Sequence, residues 1–247
     1  MTRRRWIADE VSGNRAALVG DHADHLVRVL RARVGQDFDI ATSDSVHRGR
    51  ITSLNSERVE FELGKEIASA SHSAITLALA IYKFDRMEWA IEKCTELGVG
   101  RILPVIARRT DSHLASASEK RSDRWRRIAR QSSEQSRRTA PPEIAEPARL
   151  SQILKLEAPL RIVLAETEKF MMLPDVLKDS SAAEHENASE GDIILAVGPE
   201  GGWTQDELQS FQQAGWISAS LGNTILRAET AAIAATAIVA SAMLPSP

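Results

Sequence analysis

Two glycine-bearing turns hold the residue types best suited to chemistry: GPEGGWTQDEL, Gly198 to Leu208, and LGNTILRAETAA, Leu221 to Ala232. Each follows an apolar, strand-like run, IILAV at Ile193 to Val197 and ISASL at Ile217 to Leu221. Each therefore sets backbone amides and a few polar groups at the carboxyl end of a strand, where open α/β sheets bind ligands. Glu200 and Glu229 are carboxylates able to accept a proton, and Arg227 is a cation able to stabilise developing negative charge. The same three can instead be structural, with the carboxylates capping or pairing with backbone and Arg227 bridging them. Gly198, Gly201 and Gly202 allow backbone to approach a flat or extended ligand, Pro199 stiffens the turn, and Leu221, Ile225 and Leu226 offer apolar contact. The chain has neither G-x-x-x-x-G-K-[ST] nor a G-x-G-x-x-G between strand and helix, which disfavours a nucleotide phosphate cradle.

The elements that must position these turns are readable from Ala74 onward, where strand-like and helix-like segments alternate. That pattern predicts a mainly parallel sheet with helices on its faces. AITLALAIY reads as a buried strand, and RILPVIA and RIVLAE as two more. Asp85 to Leu97 reads as a helix with Met87, Ala90, Ile91, Cys94 and Leu97 on one face and Gly98 as its stop. Cys94 is then a buried structural thiol rather than a nucleophile, and Glu96 reads as structural. Thr204 and Glu207 form a capping box that starts a helix directly after GPEGGW. The polar stretch Lys178 to Gly191 is expected to be a mobile surface loop. The alanine-rich run Ala231 to Leu244 is too short to span a bilayer and suits a helix packed closely against another surface.

Residues 1 to about 70 read as a small β-rich module, with QDFDIAT, VHRGRITSL and RVEFELG as short strands. One helix interrupts them. Asp21 is its expected N-cap, and Leu26, Val29 and Leu30 form an apolar stripe that leaves Arg28 and Arg31 facing elsewhere. Gly64 to Ser73 has no period and is the expected linker. His22 and His25 lack the further cysteines or histidines of a metal site, and none is expected.

The single cysteine excludes a disulfide framework, and MTRRRWIADEV lacks the apolar stretch of a secretory signal, so a cytoplasmic protein is expected. The net charge of -3 argues against indiscriminate nucleic-acid binding. Glu119 to Arg138 nevertheless carries eight basic residues against three acids, and seven of the eight are arginine, whose planar fork suits phosphate. That segment is either an RNA grip or a solvated amphipathic helix face with Trp125, Ile128 and Ala129 turned inward.

HLVRVLR at His25 to Arg31, Lys83 with DRMEWAIEKCTELGV at Asp85 to Val99, RWRRIARQSSEQSRRTAPPEI at Arg124 to Ile144, and the two turns resemble, in order, the RsmE family. These are 16S ribosomal RNA uridine N3-methyltransferases of the SPOUT, or trefoil-knot, superfamily. The resemblance implies a PUA-like RNA-binding β-barrel over residues 1–70. It also implies a knotted α/β methyltransferase domain over residues 74–247, S-adenosylmethionine as cofactor, small-subunit ribosomal RNA as partner, and a homodimer. It places Leu164, Gly198, Pro199, Glu200, Gly201, Gly202, Leu221, Gly222, Ile225, Leu226 and Arg227 at the cofactor. Arg227, Glu229 and Glu200 fall at the chemistry, and Arg28, Arg31, Lys83, Arg86, Arg127, Arg130 and Arg138 on RNA; Glu96, Glu134 and Gln135 also match family positions. Four positions depart from the family pattern: Thr224 stands where arginine is usual, Ala228 where threonine is, Phe84 where glycine is and Glu92 where glutamine is. A knotted methyltransferase acting on another RNA atom, and a non-catalytic RNA-binding assembly factor, remain open readings of the same residues.

Overall fold

A computed structural model of the protein describes residues 5–42, 45–69, 75–182 and 193–243. The chain forms two compact units, Met1–His72 with Arg130–Pro141, and Ser73–Ala129 with Pro142–Pro247. The division is thus not the simple one expected near residue 70, because Arg130–Pro141 groups with the N-terminal residues.

The first unit contains β1 (Arg5–Ile7), β2 (Glu10–Ser12), β3 (Arg15–Val19), α1 (Asp21–Asp24), β4 (Asp37–Ala41), β5 (Ser45–Leu54) and β6 (Arg58–Ser69). The strands form one open, curled sheet in the order β1-β4-β5-β6-β3-β2. β1 and β4 are parallel and all other pairs antiparallel. Trp6, Leu18, Leu26, Ile40, Ile51 and Phe61 fill its core. Gly49 is required there, because a methyl at its Cα would lie 2.5 Å from Ile40 Cγ1.

Three expectations for this unit are corrected. Gly20, at φ 56°, rather than Asp21, precedes the first helical residue. After Asp24 the chain widens into a π-helical turn over His25–Val29, with Leu30 N–H donating to His25 O at 3.1 Å. The wider turn breaks the expected apolar stripe: Leu26 is buried, but Val29 and Leu30 are 64% and 46% exposed. Of the expected linker, Gly64–Ser69 belongs to β6, where cross-strand pairing overrides composition; Ala70–Ser73 lies outside the described residues.

The second unit runs β7 (Ile75–Ala80), α2 (Phe84–Glu96), β8 (Arg101–Ile106), α3 (Ser112–Ala117), then α4 (Ser122–Gln135), whose residues to Ala129 belong here. It continues with β9 (Glu143–Ile144), β10 (Ala148–Arg149), α5 (Leu150–Ile153), β11 (Leu160–Leu164), α6 (Leu173–Ala182), β12 (Ile193–Val197), α7 (Gln205–Gln213), β13 (Ile217–Ala219) and α8 (Ala228–Ala242). The sheet order is β10-β8-β7-β12-β11-β13, with β9 on β8, and every pair is parallel.

Both faces are covered, which is why the central strands read as unbroken apolar runs. Leu77, Leu79 and Ile81 point into one core with Met87, Ile91, Trp125 and Val239; Ala78 and Ala80 point into the other with Val163, Ala196, Phe211 and Trp216. α2 and α8 pack together in the first of these, where Cys94 Sγ and Thr236 Oγ1 lie 3.5 Å apart. Burial pushes the Cys94 thiol up to about 12, so it stays protonated and unreactive. Lys178–Ala182, expected as loop, completes α6; the rest of that stretch lies outside the described residues.

Candidate functional site

The carboxyl ends of β11, β12 and β13 open into one pocket of about 780 Å³, counting its mouth. Residues of three loops wall it, at 164–167, at 197–200 with Gly202 and Trp203, and at 219–222 with 224–226, with Leu208, Ala228 and Ala231 behind. Of the residues expected at a cofactor, Leu164, Gly198, Pro199, Glu200, Gly202, Leu221, Gly222, Ile225 and Leu226 line the pocket, whereas Gly201 and Arg227 do not.

The GPEGG turn is held by its surroundings. A methyl on Gly198 would lie 3.2 Å from Trp203 Nε1, and Gly202 sits at φ +68°, so neither position accepts a side chain without strain. Trp203 is pinned edge-on against Phe211, their centroids 5.0 Å apart. Arg109 donates to the carbonyls of Gly201 and Trp203. Thr204 and Glu207 form the expected capping box, and Glu207 also accepts from Arg108 N–H at 2.7 Å. The second loop is tied through Ser220, whose N–H donates to Met171 O and whose carbonyl accepts from Leu173 N–H.

The charged groups arrange differently from the sequence expectation. The cation between the two turn carboxylates is Arg86 of α2, not Arg227. Its Nη1 lies 2.5 Å from Glu200 Oε1 and its Nε 3.8 Å from Glu229 Oε1. Glu200 is half exposed at the pocket rim; Glu229, in the first turn of α8, is 4% exposed, and its Oε2 has no hydrogen-bond partner. Beside them the Tyr82 hydroxyl is buried and unpartnered, its pKa pushed well above the usual phenol value by burial and by its acidic neighbours. Arg227 precedes α8 and is exposed; its carbonyl accepts from Ala231 N–H at 2.8 Å, while its side chain makes no ion pair or hydrogen bond with any described residue.

The residues expected on RNA divide in two. Arg31, Lys83 and Arg127 are exposed, and their side chains have no partner among the described residues. Arg28 pairs with Asp24 at 2.6 Å, Arg86 with Glu200, and Arg130 with Asp9 at 2.8 Å. Arg138 is half-buried, and burial lowers its pKa to about 10. The arginine-rich segment is largely ion-paired: Arg124 forks onto Glu88 with two 2.7 Å bonds, and Arg126 reaches Glu146 and Asp123. Phe84, which departs from the family pattern, packs edge-on to Trp125 at 6.0 Å and under the Arg121 guanidinium at 4.7 Å. Thr224 and Ala228, the other departures beside the turns, both line the pocket.

The sequence reading missed Glu166, Thr167 and Trp203 as lining residues. A signal for Glu166 was present, an acid directly after the apolar run RIVLA, and Trp203 stood inside the quoted turn.

The RNA methyltransferase domain family matches residues 69–240. The chain is 33% identical over 228 residues to the ribosomal RNA small subunit methyltransferase E of Rickettsia conorii, covering 90% of this chain and 88% of that one. The chain belongs to the small subunit methyltransferase E family. A Synechocystis member is 32% identical over 90% of this chain and 71% of its own length. Among solved structures, the Neisseria gonorrhoeae member bound to S-adenosyl methionine superposes with a TM-score of 0.81 at 29% identity, covering 97% and 98% of the two chains. A Legionella pneumophila protein described as a putative methyltransferase, in complex with the same cofactor, gives 0.83 at 26% identity over 98% of each chain. The fold is accordingly the α/β SPOUT type, with its parallel sheet flanked by helices and a separate curled N-terminal sheet.

Proposed function

We propose that this protein transfers a methyl group from S-adenosylmethionine to N3 of a uridine in 16S ribosomal RNA of the small subunit. The observation that carries this is the single pocket made by the GPEGG and LGNTILR turns at three strand ends, beside a carboxylate–arginine cluster. The residues fit the cofactor: Leu164, Val197, Leu221 and Leu226 offer apolar walls to a ring, and the buried Trp203 Nε1 has no hydrogen-bond partner. When bound, the cofactor supplies a methyl already activated on a sulfonium, so the chain's task is chiefly positioning, worth on the order of 7 to 11 kcal/mol.

The proton on uridine N3 must leave, and Glu200 is the carboxylate placed to take it. It stands half exposed on the pocket rim, whereas Glu229 is covered. Glu229 acts through Arg86, holding the guanidinium that in turn orients Glu200. Arg227, exposed and uncommitted, is the cation available to stabilise negative charge on the uracil oxygens. RNA phosphates meet Arg31, Lys83 and Arg127, whose exposed side chains pair with no described residue.

The first unit, residues 1–70 in the main, is the PUA-like RNA-binding module, and residues 74–247 carry the methyltransferase. α8 has no charged residue after Glu229, and Ile233, Ala234, Ala237 and Ile238 are only half covered, a face suited to a second copy of the chain. The active form is a homodimer working in the cytoplasm, on ribosomal subunits.

Small subunits lacking N3-methyluridine, incubated with the protein and S-adenosylmethionine and analysed by nucleoside mass spectrometry, gain N3-methyluridine under this reading. A methyl on a ribose or another base would transfer the assignment to that atom, and no new mark would reject it for this substrate.

A further inference from the structure

The pocket contains a carboxylate that the chemistry above does not use. Glu166 stands two residues past the end of β11 and lines the pocket. It makes no hydrogen bond or ion pair with any described residue. It is nevertheless held at a close approach, because a methyl on Gly202 would lie 3.1 Å from its Oε1 and 3.4 Å from its Cδ. The glycine thus leaves room for this side chain against the GPEGG turn. Glu200, the other pocket acid, is occupied by Arg86.

An uncommitted carboxylate at a strand end offers two oxygens in one plane, the acceptor set that a vicinal diol satisfies with two O–H donors. Resting on the methyltransferase reading, we propose that Glu166 is the residue that binds the ribose diol of the adenosyl cofactor. Position supports the sugar over the amino-acid tail. Leu164 and Ala165, the two residues before Glu166, form part of the apolar wall that suits the ring, and the ribose is the group that adjoins the ring. The tail is zwitterionic, so a lone carboxylate that attracts its ammonium also repels its carboxylate. The diol brings no such opposition.

Titration calorimetry of the full chain tests this with S-adenosylhomocysteine, 5′-methylthioadenosine, which lacks the amino-acid tail, and the 2′-deoxy form of the latter. Glu166→Ala, at an exposed site, should keep the wild-type thermal midpoint. It should weaken S-adenosylhomocysteine and methylthioadenosine alike, by about tenfold to a hundredfold. The wild type should discriminate against the 2′-deoxy ligand by a similar factor, and Glu166→Ala should bind the two thioadenosines equally. Loss confined to S-adenosylhomocysteine would assign Glu166 to the tail and overturn the proposal, as would unchanged binding of every ligand. Failure of the wild type to bind any of the three would instead reject the cofactor reading itself.

Discussion

Each unit sets an arginine between two carboxylates of which at least one is buried, and the two clusters differ in how far water reaches them. In the first unit Arg130 lies 2.8 Å from Asp9 and 3.7 Å from Glu134, and also donates to Ile7 O at 2.6 Å. His22 closes the group, 3.2 Å from Asp9 and 3.8 Å from Glu134. The side chains of Asp9 and Glu134 are 14% and 0% exposed. In the second unit Arg86 joins Glu200 and Glu229, whose side chains are 36% and 5% exposed. An arginine with two carboxylates therefore forms a closed structural tie in one place and a cluster open on one side in the other. Only an open carboxylate can meet a substrate, and only a closed one is costly to strand.

The largest difference is expected on cutting the arginines. Arg130→Ala leaves two covered carboxylates without their cation and should cost about 3 to 5 kcal/mol in urea unfolding. Arg86→Ala leaves one of its two carboxylates in water. It should cost less stability than Arg130→Ala while lowering methyl transfer about a hundredfold, through loss of the orientation of Glu200. Equal stability losses would erase the comparison.

Acid separates the two clusters next. Burial alone would raise Asp9, but the hydrogen bonds from His22 and Val19 N–H, together with Arg130, hold it below the usual carboxylate range. A carboxylate lowered on folding stabilises fully above its ordinary value, and that contribution fades as pH falls through the folded value. The stability advantage of wild type over Asp9→Asn should therefore shrink below about pH 4, in urea titrations with His22, Arg130 and Glu134 intact.

Smaller effects sharpen the picture. Thr204→Ala removes the cap of α7 and should cost about 1 kcal/mol. Arg124→Ala breaks a solvent-exposed fork and should cost less than about 1 kcal/mol. Ala237→Arg on α8 should shift sedimentation from dimer to monomer if that face joins two copies.

Much of the second unit was legible in the sequence because its signals are local. The 3.6-residue period of Met87, Ala90, Ile91 and Cys94, the capping box at Thr204 and the apolar strands each follow from a few neighbouring residues. The pairings that decide function are long-range and were not legible. Nothing in the sequence says that Arg86, rather than the adjacent Arg227, spans the gap to Glu200 and Glu229, or that Glu166 stands free beside Gly202. The π-helical turn after Asp24 was hidden for a different reason: it preserves helical spacing on paper while turning Val29 and Leu30 outward.

The central claim is that exposure decides which carboxylate works, and single-turnover methyl transfer by Glu200→Gln and Glu229→Gln tests it directly. Glu200→Gln should lower the transfer rate by about 10²- to 10⁴-fold at unchanged cofactor affinity and thermal stability. Glu229→Gln should lower stability and slow transfer less. A variant of Glu200 that transfers at the wild-type rate, with the large loss falling on Glu229, would contradict the account.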